Sequence, residues 1–138
     1  MPKEFETKRV LVTGAASGIG QAQAIAFAEQ GAEVIGIDLD ETGLKQIAAL
    51  VNLDSTKPFT YFVGDVSSPS FVQATMKQIV KDNGQIDILL NTAGILDDYR
   101  PSLETSEALW DQILATNLKS VFLVTNALLP YFLQQKKE

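Results

Sequence analysis

An apolar run, Val10-Leu11-Val12, passes through the turn Thr13-Gly14-Ala15-Ala16-Ser17-Gly18-Ile19-Gly20 into a helical pattern over residues 21–30. Few local features restrict a fold as tightly. A strand that turns on glycines directly into a helix leaves that helix's first N–H groups unpaired, with the positive end of its dipole beside them. Without side chains in the way, the backbone there can approach an anion closely, so the turn reads as a cradle for a pyrophosphate. The spacing is Gly-x-x-x-Gly-x-Gly rather than Gly-x-Gly-x-x-Gly, and the strand–turn–helix context carries the reading. The bland alternative is a flexible loop that happens to be rich in glycine.

The same alternation continues along the chain. Residues 9–12 read as a first strand, and Gly31 closes the helix behind it. Alanines 22, 24, 26 and 28 would let that helix sit close to a sheet. Residues 33–37 form a second strand ending at Asp38, and Asp40 can cap a helix whose apolar face is Leu44, Ile47, Ala48 and Val51. A polar connection over 52–58 leads to a third strand, 59–63, and to Gly64-Asp65. Ser68-Pro69 opens the next helix, with Val72, Met76, Ile79 and Val80 on one stripe and Asn83-Gly84 at its end. Residues 86–90 form a fourth strand, apolar enough to be buried on both faces. After a loop over 91–101, one long helical pattern runs from 106 to about 133. Trp110, Leu114 and Leu118 read as its core, and Pro130 as a kink or the start of a frayed end.

Strands separated by helices define an α/β chain with a Rossmann-type, doubly wound parallel sheet and helices on both faces. The expected strand order is 3-2-1-4, with the glycine turn at the switch point, in one dinucleotide-binding domain spanning 1–138.

Composition narrows the function. There is no cysteine and no histidine among the 138 residues, which removes thiol nucleophiles, the Ser-His-Asp triad and imidazole or thiolate metal sites. No metal site is expected. The net charge of −6 and the absence of a basic cluster disfavour nucleic acid. Residues 1–8 are charged with no apolar segment, and the apolar stretch 121–133, interrupted by Thr125, Asn126 and Pro130, is too short to span a bilayer. A cytoplasmic protein without membrane contact is the expectation.

Asp38 stands at the carboxyl end of the second strand, 18 residues after Gly20. A dinucleotide fold places an acid there to accept from the adenosine ribose, and a carboxylate would repel a 2′-phosphate. NAD is therefore expected, with NADP second. The alternative is an ordinary turn aspartate. Asp65-Val66 and Asn91-Thr92-Ala93-Gly94 end the third and fourth strands, where ligands of open α/β sheets bind; each alone could be a plain turn. Asn117 interrupts the long helical run, and its pattern alone favours an exposed polar position.

Taken together, Thr13-Gly14 through Gly18-Ile19-Gly20, Asp65-Val66, Asn91-Thr92-Ala93-Gly94 and Asn117-Leu118-Lys119-Ser120-Val121-Phe122 resemble the N-terminal part of the short-chain dehydrogenase/reductase family. The pattern is most similar to bacterial 3-oxoacyl-[acyl-carrier-protein] reductases and to sugar- or polyol-type dehydrogenases. The resemblance implies hydride transfer between a nicotinamide cofactor and a small-molecule carbonyl or alcohol. It implies that Gly14, Ser17, Gly18, Ile19 and Gly20 hold the pyrophosphate side and Asp38 the adenosine ribose. Asp65 and Val66 would flank adenine, and Asn91, Ala93 and Gly94 would line the ribose groove. Asn117 matches the family's catalytic asparagine. The family's homo-oligomers, tetramers or dimers, imply a partner for the apolar long helix.

Two departures stand out. Thr92 replaces the family's second asparagine, and no Tyr-x-x-x-Lys occurs in this sequence. The chain therefore reads as truncated before the catalytic serine, tyrosine and lysine, with residues 1–138 binding the cofactor but not turning over. A non-catalytic dinucleotide-binding sensor or interaction module is the other reading.

Overall fold

The computed structural model describes residues 3–54 and 57–135. Four strands, β1 (Arg9–Thr13), β2 (Glu33–Asp38), β3 (Thr60–Val63) and β4 (Ile88–Asn91), lie parallel in the order β3-β2-β1-β4. Leu11 of β1 sits opposite Ile35 of β2 and Leu89 of β4. This is the expected doubly wound order.

Successive side chains of a strand point to opposite faces, and the two cores follow from that period. Val10, Val12 and Val34 face α1 (Gly18–Glu29) and α2 (Glu41–Asp54), meeting Ala24, Ala28, Leu44, Ile47 and Val51. Leu11, Ile35 and Ile37 face the other way, onto α3 (Pro69–Asn83) and α5 (Ser120–Gln135), meeting Val72, Met76, Ile79, Val124 and Leu128. Each such fully buried aliphatic side chain stabilises the fold by about 1.5–3 kcal/mol before entropy is counted. Of the four alanines of α1, Ala24 and Ala28, four apart, reach the core, while Ala22 and Ala26 are exposed, because residues two apart on a helix do not share a face.

Local chemistry starts and stops the helices as read. The Asp40 carboxylate accepts from the Gly43 N–H at 3.1 Å, and the Ser68 hydroxyl from the Phe71 N–H at 3.4 Å. Gly31 (φ 90°) and Gly84 (φ 75°) end α1 and α3 in a conformation that L side chains rarely adopt.

Several expectations change. The connection over 52–58 begins later, since α2 runs to Asp54; residues 55 and 56 lie outside the described part. Asn52 still serves it, its side-chain carbonyl accepting from the Phe59 N–H at 3.0 Å. The fourth strand is shorter than 86–90 and only half-buried, because β4 is an edge strand paired on one side by β1 alone.

The long helical pattern is two α-segments, α4 (Glu107–Leu114) and α5, joined by a π-turn at Ala115–Lys119. Trp110, Leu114 and Leu118, expected in the core, are 58%, 39% and 66% exposed. Their row continues past the π-turn as Phe122 and Leu129 on the exposed side of the helix, whereas the sheet meets a different row, Ser120, Val124 and Leu128. The helix does not end at Pro130 but continues to Gln135, where Tyr131 and Phe132 pack on the second core and the Gln135 amide donates to the Ile86 carbonyl at 3.3 Å. The continuous helix Glu107–Gln135 has 29 residues and is long and apolar enough to cross a membrane by length and composition, contrary to the expectation drawn from 121–133. Its α5 part covers one face of the sheet.

Candidate functional site

The glycine turn is shaped by two close approaches and one opening. Gly14 (φ 68°) extends β1, its N–H donating to the Ile37 carbonyl at 2.8 Å. A Cβ on it would stand 2.7 Å from the Ala93 Cα, so only glycine lets the exits of β1 and β4 meet. Gly20 lies hard against the Gly14 carbonyl and holds α1 close to the strand it leaves. Gly18 (φ 56°) is the opposite case: a Cβ there would meet nothing within 4 Å.

Ser17, the N-cap residue of α1, is extended and makes no side-chain capping bond, and the first turn carries no acid. Ser17, Gly18 and Ile19 are exposed. Among the described residues, no side-chain cap and no first-turn acid competes for the helix's first N–H groups, and the turn over Ser17, Gly18 and Ile19 is open to solvent. That fits a pyrophosphate.

Beside the turn, at the carboxyl ends of the strands, lies a shallow cleft of about 90 Å³. Gly14 stands at its middle, with Asp38, Asp65 and Val66 toward β2 and β3, and Ala93 and Gly94 toward β4. Asp38 is held by two backbone donors, Ala16 N–H on Oδ2 and Asp40 N–H on Oδ1, each at 3.0 Å. Each oxygen keeps a second lone pair for a ligand hydroxyl. Asp65 is used locally, Oδ1 accepting from the Ser67 N–H at 2.8 Å and hydroxyl at 2.7 Å, while Val66 is buried. On the outer side of α2, the Lys45 ammonium is held above its ordinary pKa by its hydrogen bond to Glu41.

Asn91 is turned from the cleft toward α5, its amide donating to the Thr125 hydroxyl at 3.1 Å. It ties β4 to the helix rather than lining the cavity. Asn117 sits in the π-turn and grips one residue from both sides: Oδ1 accepts from the Ile95 N–H at 2.7 Å and Nδ2 donates to the Ile95 carbonyl at 2.9 Å. Asn117 is exposed, as its pattern favours, and from that position it forms a two-bond clamp on the loop leaving β4.

Two members of the site were not legible beforehand. Thr13, 2% exposed at the end of β1, accepts with one hydroxyl from both the Thr92 N–H (3.0 Å) and the Ala93 N–H (3.1 Å). A threonine closing an apolar strand just before the first glycine was the available signal. Gln23 of α1 accepts from the Thr92 hydroxyl at 2.6 Å, and nothing in the sequence pattern marks it.

A family model described as short chain dehydrogenase matches residues 8–138. The chain is similar to the 3-oxoacyl-[acyl-carrier-protein] reductase FabG of Thermotoga maritima, 35% identical over 132 residues, covering 96% of this chain and 53% of that one. Among solved structures it is similar to a short chain dehydrogenase of Shigella flexneri complexed with NADP (TM-score 0.88, 30% identity), covering 95% of this chain and 56% of that one. It is also similar to the 3-ketoacyl-(acyl-carrier-protein) reductase of Brucella melitensis complexed with NADH (TM-score 0.84, 31% identity), covering 92% and 50% respectively. The chain spans about half the length of these three proteins.

Proposed function

The chain belongs to the short chain dehydrogenase family, and from that premise we propose that it holds a nicotinamide dinucleotide along the cleft as the cofactor-binding part of an oxidoreductase. The observation that carries this reading is the uncapped, exposed start of α1, open over Gly18, together with a cleft lined by Gly14 at the head of the same turn and by the Asp38 carboxylate. When bound, the dinucleotide supplies or accepts the hydride exchanged with a carbonyl or alcohol carbon.

The chain's own groups orient it. The N–H groups of residues 17–20 balance the pyrophosphate charge. Asp38 accepts from the adenosine ribose, Asp65 and Val66 flank adenine, and Ala93 and Gly94 give the second ribose backbone to lie on. Asn91 supports that wall from behind through Thr125. Asn117 corresponds to the family's catalytic asparagine and keeps the Ile95 backbone in place.

We assign a preference for NAD(H) over NADP(H) on Asp38 alone, since its charge opposes a 2′-phosphate. The solved relatives include one complexed with NADP and one complexed with NADH. The substrate class is a small carbonyl or alcohol, with 3-oxoacyl thioesters the first candidates. A homo-oligomer, dimer or tetramer, is proposed through Leu118 and Phe122, 66% and 62% exposed on the long helix.

Because the sequence holds no Tyr-x-x-x-Lys, residues 1–138 are proposed to bind the dinucleotide without turnover. Fluorescence titration with NADH and NADPH, followed by assays with ketones and keto-acyl thioesters, tests all of this. Binding of NADH without turnover is expected. Failure to bind either dinucleotide refutes the function, and turnover by these residues refutes the assignment of chemistry.

A further inference from the structure

Thr92 stands where the resembled family has its second asparagine, and its hydroxyl proton is committed to one partner. It donates to the Gln23 side-chain carbonyl on α1 at 2.6 Å, across 69 residues of sequence. Its own N–H and that of Ala93 are held by Thr13 of β1, and the Asn117 amide clamps Ile95 three residues later. The segment 92–95 is therefore fixed from three elements at once: β1, the π-turn, and α1. Only the last of these links the wall of the cleft to the helix whose N-terminus faces the anion cradle.

We propose that Gln23 and Thr92 are a pair of positioning residues that set the spacing between the pyrophosphate cradle and the β4 wall of the cleft. The inference rests on the dinucleotide reading above. Gln23 lies one turn into α1, so a shift of the helix moves residues 17–20 with it. With the bond in place, α1 and segment 92–95 move as one body. Without it, the β4 wall keeps Thr13, Asn117 and the close approach of Gly14 to Ala93 but loses its direct side-chain tie to α1. A ligand that spans both subsites feels the change; one confined to the adenosine diphosphate side does not. A bond that only stabilised the fold would affect both ligands alike.

The experiment is isothermal titration of the full chain with NADH and with ADP, for the unmodified protein and for Thr92→Val, Thr92→Ser, Gln23→Met and the double variant Thr92→Val/Gln23→Met. Valine matches threonine in shape but has no hydroxyl, methionine matches glutamine in length but has no carbonyl, and serine keeps the donor. Loss of one positioned hydrogen bond predicts NADH weakened about threefold to tenfold by either single apolar variant, with ADP unchanged. Thr92→Ser should bind NADH as the unmodified protein does, and the double variant should be no worse than either single one. Absence of NADH binding by the unmodified chain overturns the dinucleotide reading and this inference with it. NADH bound normally by both apolar variants, or ADP weakened as much as NADH, overturns the inference alone.

Discussion

Gly14 and Gly18 both adopt a left-handed backbone, φ 68° and 56°, yet replacing each with alanine should have opposite consequences. The conformational cost of a Cβ in that region is about 1–2 kcal/mol and applies to both. At Gly14 a second cost is added. The new Cβ would stand 2.7 Å from the Ala93 Cα and 2.9 Å from its nitrogen, well inside van der Waals contact and against backbone that cannot rotate away. Overpacking of this kind costs a further 1–3 kcal/mol or so, giving about 2–5 kcal/mol in total for Gly14→Ala. At Gly18 nothing lies within 4 Å, so Gly18→Ala should lose only about 1–2 kcal/mol. Binding should behave in reverse. The methyl group of Gly18→Ala enters the space the pyrophosphate needs, and displacement of one charge-assisted bond should weaken NADH about tenfold or more. Urea denaturation followed by tryptophan fluorescence measures the first quantity and NADH titration the second. Equal destabilisation by the two variants would refute the close approach of Gly14 to Ala93. A Gly18→Ala protein that folds and binds NADH normally would refute the cradle.

Three other outcomes are expected. Asp38→Ala should weaken NADH by about 1.5–3 kcal/mol, the worth of charge-assisted bonds, and weaken NADPH less, while tighter NADPH than NADH binding by the unmodified chain would contradict the NAD(H) assignment. Asn117→Ala removes both bonds to Ile95 and, at an exposed site, should cost no more than about 1 kcal/mol of stability while speeding hydrogen exchange at the Ile95 amide; unchanged exchange there would contradict the clamp. Phe122→Glu should reduce the assembly seen by light scattering at micromolar concentration, and a monomeric unmodified protein would exclude the proposed interface.

The amino-acid sequence alone determined the class of fold, the order of its strands, the glycine turn and the helix caps. These are written in neighbours: an apolar period of two or of 3.6, a serine before a proline, an aspartate three residues ahead of the N–H it caps. It also placed Asp38, Asp65 and Gly94 at one end of the sheet, because parallel strands linked by helices must all end on the same side. The tertiary structure alone decided which side chains serve the site. Asn117 reaches Ile95 across 22 residues, and Thr92 reaches Gln23 across 69. Asn91, which carries the family's motif, turns outward to Thr125. Trp110 and Leu114 have the spacing of core residues, yet their row stays exposed through Leu118 and Phe122 while Val124 and Leu128 meet the sheet. A periodic pattern records how often a helix is apolar, not the phase at which it meets its neighbour. That phase follows from contacts between chain segments far apart in sequence.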